Sequence, residues 1–524
     1  MQKHYYLSNP YCQIMSSPNT VVVGLDGAHF EILEPWIDAG ELPNLQRIFE
    51  SGLTSDLESV LPPVTSPNWK AYSTGKNPGK FGIFWWENID LDEKRVYYPE
   101  DRKHNTIELW EILAQDSPVG VIGVPTTHPP KSINGFVVSG APDGDNTGYA
   151  SPPEVEKLLD RKLDYRVMPE HRINPRDSES LSEIYDVIDS RFRAAKLLAD
   201  EYDLSFLQVT TFYINVLQHF LWRSEDTLKG WKIIDNHIGE FLDDETDVIL
   251  MSDHGSTKID TVFHINTWLA NNGYLSVNTG ISSKLQELGL SRERIGKFVD
   301  SVGVGNLARN LAPDRLLNSL PDEQGELKRG QKTNHINWTD TLALASGQGP
   351  VYINAPKDSK EYHIIREKLI DELTDIRGPS GTAVAKEVVK GEDIYSGPYL
   401  DEAPDLCINQ TPGVHIQGGI GRNEIFSNPS DGNWRAENKR NGLFAALGPS
   451  FRSGSIDGLS ILDLTPTILH LYGNPIPSDM DGCVRKDVFS PESGLANRDI
   501  EYTDSYEYIT EIARIRNIAR DSPL

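Results

Sequence analysis

The sequence predicts an α/β protein with a central, mostly parallel sheet between helices. Short runs rich in Val, Ile and Leu alternate with longer stretches of helical periodicity. Strands that are apolar throughout are typical of parallel sheets, because both faces of such a sheet are buried. Several of the runs also end in residues capable of chemistry, and ligands of open α/β sheets bind beyond the carboxyl ends of the strands. We therefore expect a functional site at that edge.

The predicted elements follow one another along the whole chain. Strands are predicted at 20–26, 119–125, 135–141, 204–210, 247–253, 349–354, 403–409 and 442–448. Amphipathic helices are predicted at 41–52, 106–115, 180–201 and 230–242. The polar stretch 281–331 has a helical pattern with few strand signals, and we interpret it as an insertion, or lid, over the sheet. Residues 1–19 are predicted to be an N-terminal extension and 491–524 a peripheral C-terminal segment.

Composition excludes several classes of partner. The chain has 524 residues, and 50 Lys and Arg against 77 Asp and Glu give a net charge of −27. Such a surface repels nucleic-acid duplexes and anionic lipids, so an anionic substrate needs local positive charge such as a bound cation. Cys12, Cys407 and Cys483 lie far apart and form no disulfide framework. Without a signal peptide or a run of ~18 apolar residues, we expect a soluble, cytoplasmic protein with no membrane span.

Three residues at strand ends are candidates for a metal site. Asp26 ends the run "TVVVGLD", and Asp253 and His254 follow the run "DVILM". Two carboxylates and an imidazole at neighbouring strand ends are suitable metal ligands. The alternative interpretation of the Asp-His pair is a polar loop that caps a strand.

Thr65 is the candidate nucleophile. It stands before a probable helix, with Pro67 in the first turn, and so has the character of an N-cap. A hydroxyl at a helix N-terminus beside a metal is also a ready nucleophile, because the metal lowers its pKa and the exposed N–H groups receive an anion. The alternative is that Thr65 is only a cap.

Five motifs in order resemble the type I phosphodiesterase/nucleotide pyrophosphatase family of the alkaline phosphatase superfamily. They are "GLDG", "VTSPNW…STGKNPGKFGIF", "GVPTTHPPKSINGFVVSG", "SDHGS" and "LDLTPTILHLYGNPIPSDMDG". The resemblance covers about 20–490. It implies one alkaline-phosphatase-like catalytic domain, a three-layer sandwich whose mostly parallel sheet lies between helices. It also implies two divalent metals, usually zinc, that bridge a phosphate.

The resemblance implies a complete first metal site. Its ligands would be Asp26, Thr65, Asp253 and His254, and Zn²⁺ is the expected ion. Thr65 would also be the nucleophile of a two-step phosphoryl transfer through a phospho-threonine intermediate, which water then hydrolyses. In the same motif, Asn68 and Lys70 are candidates for substrate binding.

The second metal site departs from the family pattern. The family has Asp in the position of Asn215, His in that of His219, and a second His where Asn438 stands. Amide oxygens are poor ligands for zinc and better ones for Mg²⁺ or Mn²⁺. His415 could supply the missing imidazole, and His219, on an aromatic helical face, could instead be a packed side chain. We expect a second site that is weak or empty.

Two functions remain open at this point. The preferred one is a metal-dependent hydrolase of phosphate esters, with a phosphorylated small molecule or a glycan as substrate. The leaving group would then be stabilised by a weakly held ion, by His219 or Lys70 as a donor, or by no group. The alternative is a catalytically weakened homologue that binds a phosphorylated ligand or partner. A sulfatase is disfavoured because Trp69 stands where the sulfatase motif needs Arg. The sequence leaves the oligomeric state open.

Overall fold

The structure is a computed structural model, which describes residues 18–99, 102–103, 106–171, 174, 177–277, 335–431 and 433–504. The predicted insertion at 281–331 lies outside the described residues, as do parts of the two terminal segments, so these remain predictions. The strands in chain order are β1 (Thr20–Leu25), β2 (Leu53–Glu58), β3 (Asn88–Asp90), β4 (Arg95–Tyr97), β5 (Val119–Ile122), β6 (Gly135–Val138), β7 (Ala150–Ser151), β8 (Phe206–Thr211), β9 (Asp247–Met251), β10 (Gly255–Lys258), β11 (Thr261–His264), β12 (Ala343–Ala345), β13 (Pro350–Ile353), β14 (Ala385–Lys390), β15 (Leu406–Gln410), β16 (Val414–Gln417), β17 (Phe426–Ser427), β18 (Ala436–Lys439), β19 (Asn441–Leu447), β20 (Gly454–Ser455), β21 (Leu459–Ser460), β22 (Ile476–Pro477) and β23 (Tyr502–Thr503).

Helices surround these strands. In chain order they are α1 (Phe30–Asp38), α2 (Pro43–Ser51), α3 (Thr65–Thr74), α4 (Pro78–Phe81), α5 (Leu109–Leu113), α6 (Pro153–Leu163), α7 (Ser178–Glu201), α8 (Tyr213–Leu221), α9 (Glu225–Gly239), α10 (Ile265–Asn271), α11 (Lys360–Asp375), α12 (Gly391–Ile394) and α13 (Ile461–Tyr472). The four predicted helices correspond to α2, α5, α7 and α9. Among the described residues, no helix has the length and apolar character needed to cross a membrane.

A ten-stranded central sheet organises the molecule. Its order is β20-β2-β19-β9-β1-β8-β5-β6-β7, and β21 also pairs with β2. The five adjacent strands β9, β1, β8, β5 and β6 run parallel to one another. β19 is antiparallel to both β9 and β2. The expected mostly parallel sheet is therefore confirmed.

Helices cover this sheet on both faces, which makes three layers. Along β1, Val21, Val23 and Leu25 pack into the apolar core under α1, α2, α6, α7, α8 and α9. Val22 points to the opposite face, into the core shared with α3, α5 and α13. This alternation follows from strand geometry, because successive side chains point to opposite faces of a sheet. The three-layer α/β architecture is as predicted.

Two of the predicted strands lie outside the central sheet. The runs at 349–354 and 403–409 form β13 and β15 of a separate four-stranded sheet, in the order β12-β13-β15-β14 with antiparallel pairs. Its own apolar core also receives side chains of α10 and α11. The run at 442–448 does join the central sheet, as antiparallel β19. Assigning these runs to the parallel sheet was wrong because apolar periodicity reports burial and not strand direction.

Candidate metal centre

The carboxyl ends of three neighbouring strands bring the candidate residues together. β1 pairs in parallel with β9 in a register that sets Gly24 opposite Met251. Two residues further along each chain, Asp26 and Asp253 consequently leave the sheet side by side. On the other side of β1, β8 leads directly into α8, which carries Asn215 in its first turn. The register of the sheet thus builds the site.

Asp26, Asp253 and His254 form a buried group suited to a metal ion. One ligand atom of each residue lies within 4.8 Å of the others. His254 Nε2 is 3.2 Å from Asp253 Oδ2 and 3.8 Å from Asp26 Oδ1. His254 Nδ1 donates to the Gly255 carbonyl oxygen at 3.0 Å, so the lone pair of Nε2 faces the carboxylates. Asp253 Oδ1 accepts from Gly27 N–H at 3.1 Å, whereas buried Oδ2 has no hydrogen-bond partner, as expected of a metal ligand.

The electrostatics of the group also favour a cation. Burial, followed by the charge of Asp253, raises the pKa of Asp26 well above its usual value. Burial raises the pKa of Asp253 to about 7. Burial lowers the pKa of His254, which favours the neutral imidazole that metals bind. Two buried carboxylates side by side repel each other, and a divalent ion offsets that cost.

Thr65 is the first residue of α3, and its side chain is buried beside this group. Its Oγ1 lies 3.3 Å from His254 Nε2. The prediction of Thr65 as an N-cap is wrong by one residue, because Val64 occupies the cap position and makes no side-chain cap bond. The hydroxyl of Thr65 faces the imidazole of His254 and does not cap its own helix.

Asn68 holds the segment that leads into Thr65. Its Oδ1 accepts from Val60 N–H at 2.8 Å. Its Nδ2 donates to the carbonyl oxygens of Pro62 and Val64, both at 3.0 Å. The side chain is fully buried. These contacts fix the backbone just before Thr65, and the predicted contact of Asn68 with substrate remains a prediction.

Lys70 lies in a buried ion pair. Its Nζ is 3.0 Å from Glu108 Oε1 and also contacts the carbonyl oxygen of Lys103. Burial lowers the pKa of Lys70, and the charge of Glu108 opposes this shift. The Lys70 ammonium therefore binds groups within the protein, and its predicted role toward substrate remains a prediction.

The residues proposed for a second metal make hydrogen bonds of their own. Asn215 Nδ2 donates to Asp26 Oδ1 at 2.7 Å. His219 Nδ1 donates to the Ala436 carbonyl oxygen at 2.8 Å, and its ring stacks on Trp434 with centroids 4.2 Å apart. Burial lowers the pKa of His219 to about 4, so the ring is neutral at pH 7. Its packed position matches one interpretation of the sequence and leaves Nε2 as an acceptor.

The last two candidates lie on β16 and β18. Asn438 Nδ2 donates to the Pro63 carbonyl oxygen at 2.9 Å, while its buried Oδ1 has no hydrogen-bond partner. His415 contacts the carboxylate of Glu437 and stacks on Trp434 with centroids 5.4 Å apart. Within the described part of the chain, Asp26, Asp253 and His254 are the one group of three or more His, Cys, Asp or Glu close enough to share an ion.

Several residues that shape the centre were missed by the sequence reasoning. Trp69 Nε1 donates to Asp26 Oδ2 at 2.9 Å from the second turn of α3. Gln218 Nε2 donates to the Gly27 carbonyl oxygen at 3.1 Å. Buried Glu437 accepts from Gln348 Nε2 at 2.9 Å. Helical spacing offered a signal for two of them, since Trp69 lies four residues after Thr65 and Gln218 three after Asn215.

The fold and the site define a class: α/β proteins with a cluster of candidate metal ligands at the carboxyl edge of a mostly parallel sheet. The family model for Type I phosphodiesterase / nucleotide pyrophosphatase matches residues 20–434, and the chain belongs to this family. The family comprises phosphodiesterase- and pyrophosphatase-type hydrolases that are generally dependent on divalent metals and act on phosphorylated substrates such as nucleotides. Both the resemblance and the alkaline-phosphatase-like fold are thereby confirmed. A comparison with curated proteins finds no match.

Proposed function

We propose that this chain hydrolyses phosphate esters with Thr65 as nucleophile and a divalent cation held by Asp26, Thr65, Asp253 and His254. The observation that carries the proposal is the position of Thr65 Oγ1, 3.3 Å from His254 Nε2 in the buried group. Two carboxylates, an imidazole and a hydroxyl supply four nitrogen and oxygen donors, which suits Zn²⁺. When bound, the cation lowers the pKa of the hydroxyl and offsets the charge of the phosphate.

The chemistry proceeds in two steps. The Thr65 hydroxyl releases its proton to solvent and its oxygen attacks phosphorus in line, so that a P–O bond to Thr65 forms while the bond to the leaving oxygen breaks. Water then hydrolyses the phospho-threonine and releases the phosphate product. The start of α3 receives the anionic phosphate oxygens. Pro67 has no N–H and Asn68 N–H donates to Val64 at 3.2 Å, so Ser66 supplies the available donor directly after Thr65.

The leaving group receives little help from the residues first considered for that task. His219 has its pKa lowered to about 4 and commits its Nδ1 proton to Ala436. Lys70 is paired with Glu108. We propose that His219 acts as an acceptor or ligand and that solvent protonates the leaving oxygen.

The second candidate function is a weakened homologue that binds a phosphorylated ligand or partner. The observations that favour it are the amides of Asn215 and Asn438, which replace charged or imidazole ligands and hydrogen-bond to the protein. Turnover of bis-p-nitrophenyl phosphate by protein reloaded with Zn²⁺ separates the two functions. Tight binding of a phosphate ester without turnover would support the weakened homologue.

The substrate class and the compartment are also proposals. With a net charge of −27, the chain depends on the local cation to attract an anion, which fits a phosphorylated small molecule or glycan. Cys407 and Cys483 are free thiols, which fits a reducing, cytoplasmic compartment.

The nucleophile is tested with Thr65→Ala and the matched variant Thr65→Ser. We expect Thr65→Ala to lower kcat at least about a thousandfold, because the attacking oxygen is gone. Thr65→Ser keeps a hydroxyl at the same position and should retain measurable turnover. Mass spectrometry of acid-quenched protein should find phosphate on Thr65 in the unmodified enzyme. Full turnover by a correctly folded Thr65→Ala protein would overturn the proposal.

A further inference from the structure

The side chain of Asn215 has an orientation that its neighbours dictate. Its Nδ2 lies 2.7 Å from Asp26 Oδ1. Its Oδ1 lies 3.5 Å from Gln218 Nε2, which carries protons, and 3.4 Å from Ser256 Oγ, whose proton is donated to the Gly27 carbonyl oxygen at 2.7 Å. A metal-binding carboxylate only accepts hydrogen bonds, so the amide nitrogen must be the atom that faces Asp26. Asn215 therefore presents a donor to the metal centre.

An aspartate at this position would behave differently. It would place a second carboxylate oxygen against Asp26 at hydrogen-bond distance, with the side chain of residue 215 only 2 % exposed. Two buried carboxylates at that separation need a proton or a cation between them. The amide removes this requirement, since its N–H supplies the positive end of a dipole in the same place.

Two other side chains considered for a second metal also bind groups of the protein. The amide nitrogen of Asn438 is bound to the Pro63 carbonyl oxygen. His415 contacts the side chain of Glu437. The Glu437 carboxylate also accepts a hydrogen bond from the backbone N–H of Asn438 at 2.6 Å. In the described ranges these side chains form no second cluster of three His, Cys, Asp or Glu ligand atoms.

We propose that Asn215 is a positioning residue that takes the place of a second cation: its amide holds Asp26 in place, and the centre works with a single ion. The inference rests on the proposed function, in which Asp26 binds the catalytic ion. It also narrows the substrate class. With no second cation on the leaving oxygen, the enzyme favours esters whose leaving group is already a stable anion, such as phosphoanhydrides and aryl phosphates.

Metal stoichiometry and affinity test the positioning role. After dialysis against a mild chelator, the unmodified protein should retain about one Zn²⁺ per chain. Calorimetric titration of the apo protein should give a Kd about 10–100-fold weaker for Asn215→Ala, because Asp26 loses the donor that orients it. Two tightly held ions in the unmodified protein, or unchanged affinity in a folded Asn215→Ala variant, would overturn the inference.

Asn215→Asp introduces a charge, and the effect of Zn²⁺ on its Tm distinguishes a positioning role from a merely structural one. Asn215→Asp should lower the Tm of the apo protein, and Zn²⁺ should restore it. The matched control is Asn266→Asp, since Asn266 is also 2 % exposed but hydrogen-bonds to Ala345 and Gly418. In that control Zn²⁺ should raise the Tm only by as much as in the unmodified protein, whereas the rise in Asn215→Asp should be larger. Zn²⁺-induced shifts in Tm that are equal in the two variants would contradict the role assigned to Asn215. These binding and melting measurements need no turnover, so they stand apart from the test of Thr65.

The leaving-group preference is measured with a series of aryl methyl phosphates. Between the best and the poorest leaving group, kcat/KM of the unmodified enzyme should fall by about 100-fold or more, since no group stabilises the charge on the departing oxygen. If kcat/KM did not change with the leaving group while Thr65→Ala was inactive, the single-ion centre would be contradicted. The proposal that Thr65 is the nucleophile would still stand.

Discussion

Single residues without charge set the geometry of the two carboxylates. Trp69 Nε1 fixes one oxygen of Asp26, and Gly27 N–H fixes one oxygen of Asp253. Gly27 has a positive φ of 69°, and a Cβ atom there would lie 2.3 Å from Asn215 Oδ1. The residue after Asp26 must therefore be glycine for two reasons, backbone conformation and close approach.

A comparison of Gly27→Ala with Gly40→Ala distinguishes the effect of backbone conformation from that of close approach. Gly40 has a similar φ of 73° but nothing within 4 Å of the added carbon. We expect Gly40→Ala to cost about 1–2 kcal/mol of unfolding free energy from backbone strain alone. Gly27→Ala should cost more and should also weaken Zn²⁺ binding, because the new methyl group displaces Asn215. Urea melts and metal titrations measure both effects, and equal losses with unchanged metal affinity would show that crowding is unimportant.

At the scale of elements, α3 combines three tasks in its first two turns. Thr65 presents the hydroxyl, Asn68 holds the preceding backbone, and Trp69 reaches across to Asp26. A Cβ on Gly24 would meet the Trp69 ring at 2.6 Å, so a glycine in β1 lets the helix pack closely on the strand. The position of Thr65, the proposed nucleophile, thus depends on the packing of one helix on one strand.

Asn68→Ala tests this dependence, with Asn88→Ala as the matched control. Asn88 is equally buried, and it bonds the backbone of Gly82 and Phe84. Both variants should lose about 1–3 kcal/mol of stability, because buried backbone groups lose their partners. Only Asn68→Ala should also lower kcat, by about tenfold or more, since Thr65 loses its fixed approach. Similar kcat values for the two variants would argue against a positioning role for Asn68.

The sequence predicts the parallel part of the fold and the first-site candidates better than it predicts the smaller sheet. Asp26, Asp253 and His254 were found because a strand end is visible as an apolar run followed by polar residues. The pairing of β13 with β15 was missed because an apolar run does not reveal its partner or direction. The hydrogen bonds of Asn215 and Glu437 depend on contacts between distant segments, which no local pattern reports.

At the scale of the whole molecule, the buried carboxylates link stability to pH and metal. The pKa of Asp253 rises from 3.8 to about 7 in the fold. Between pH 3.8 and about pH 7, the folded apo protein thus keeps a proton that the unfolded chain releases. The stability that this group contributes is lost as the pH rises through that range. A cation binds the deprotonated form, so its stabilising effect grows in the same direction.

Melting curves at two pH values measure this linkage. Zn²⁺ should raise the Tm more at about pH 8 than at about pH 5.5, because protons compete for the carboxylates at the lower pH. In Asp253→Asn the difference between the two pH values should shrink, since the neutral amide does not titrate. A metal-induced shift that is larger at the lower pH would contradict the pKa direction given for Asp253.

The alignment of β1 with β9 has a consequence for how the chain assembles. Gly27 and Asp253 are 226 residues apart in sequence, yet a hydrogen bond joins them. If β9 slipped by two residues along β1, Asp253 would move about 7 Å from Asp26, beyond the reach of one ion. A cation held at the proposed centre would therefore bind only the correctly aligned sheet, and its binding energy would stabilise that alignment alone. The centre that we propose for catalysis would in this way also favour the correct alignment of β1 and β9 during folding.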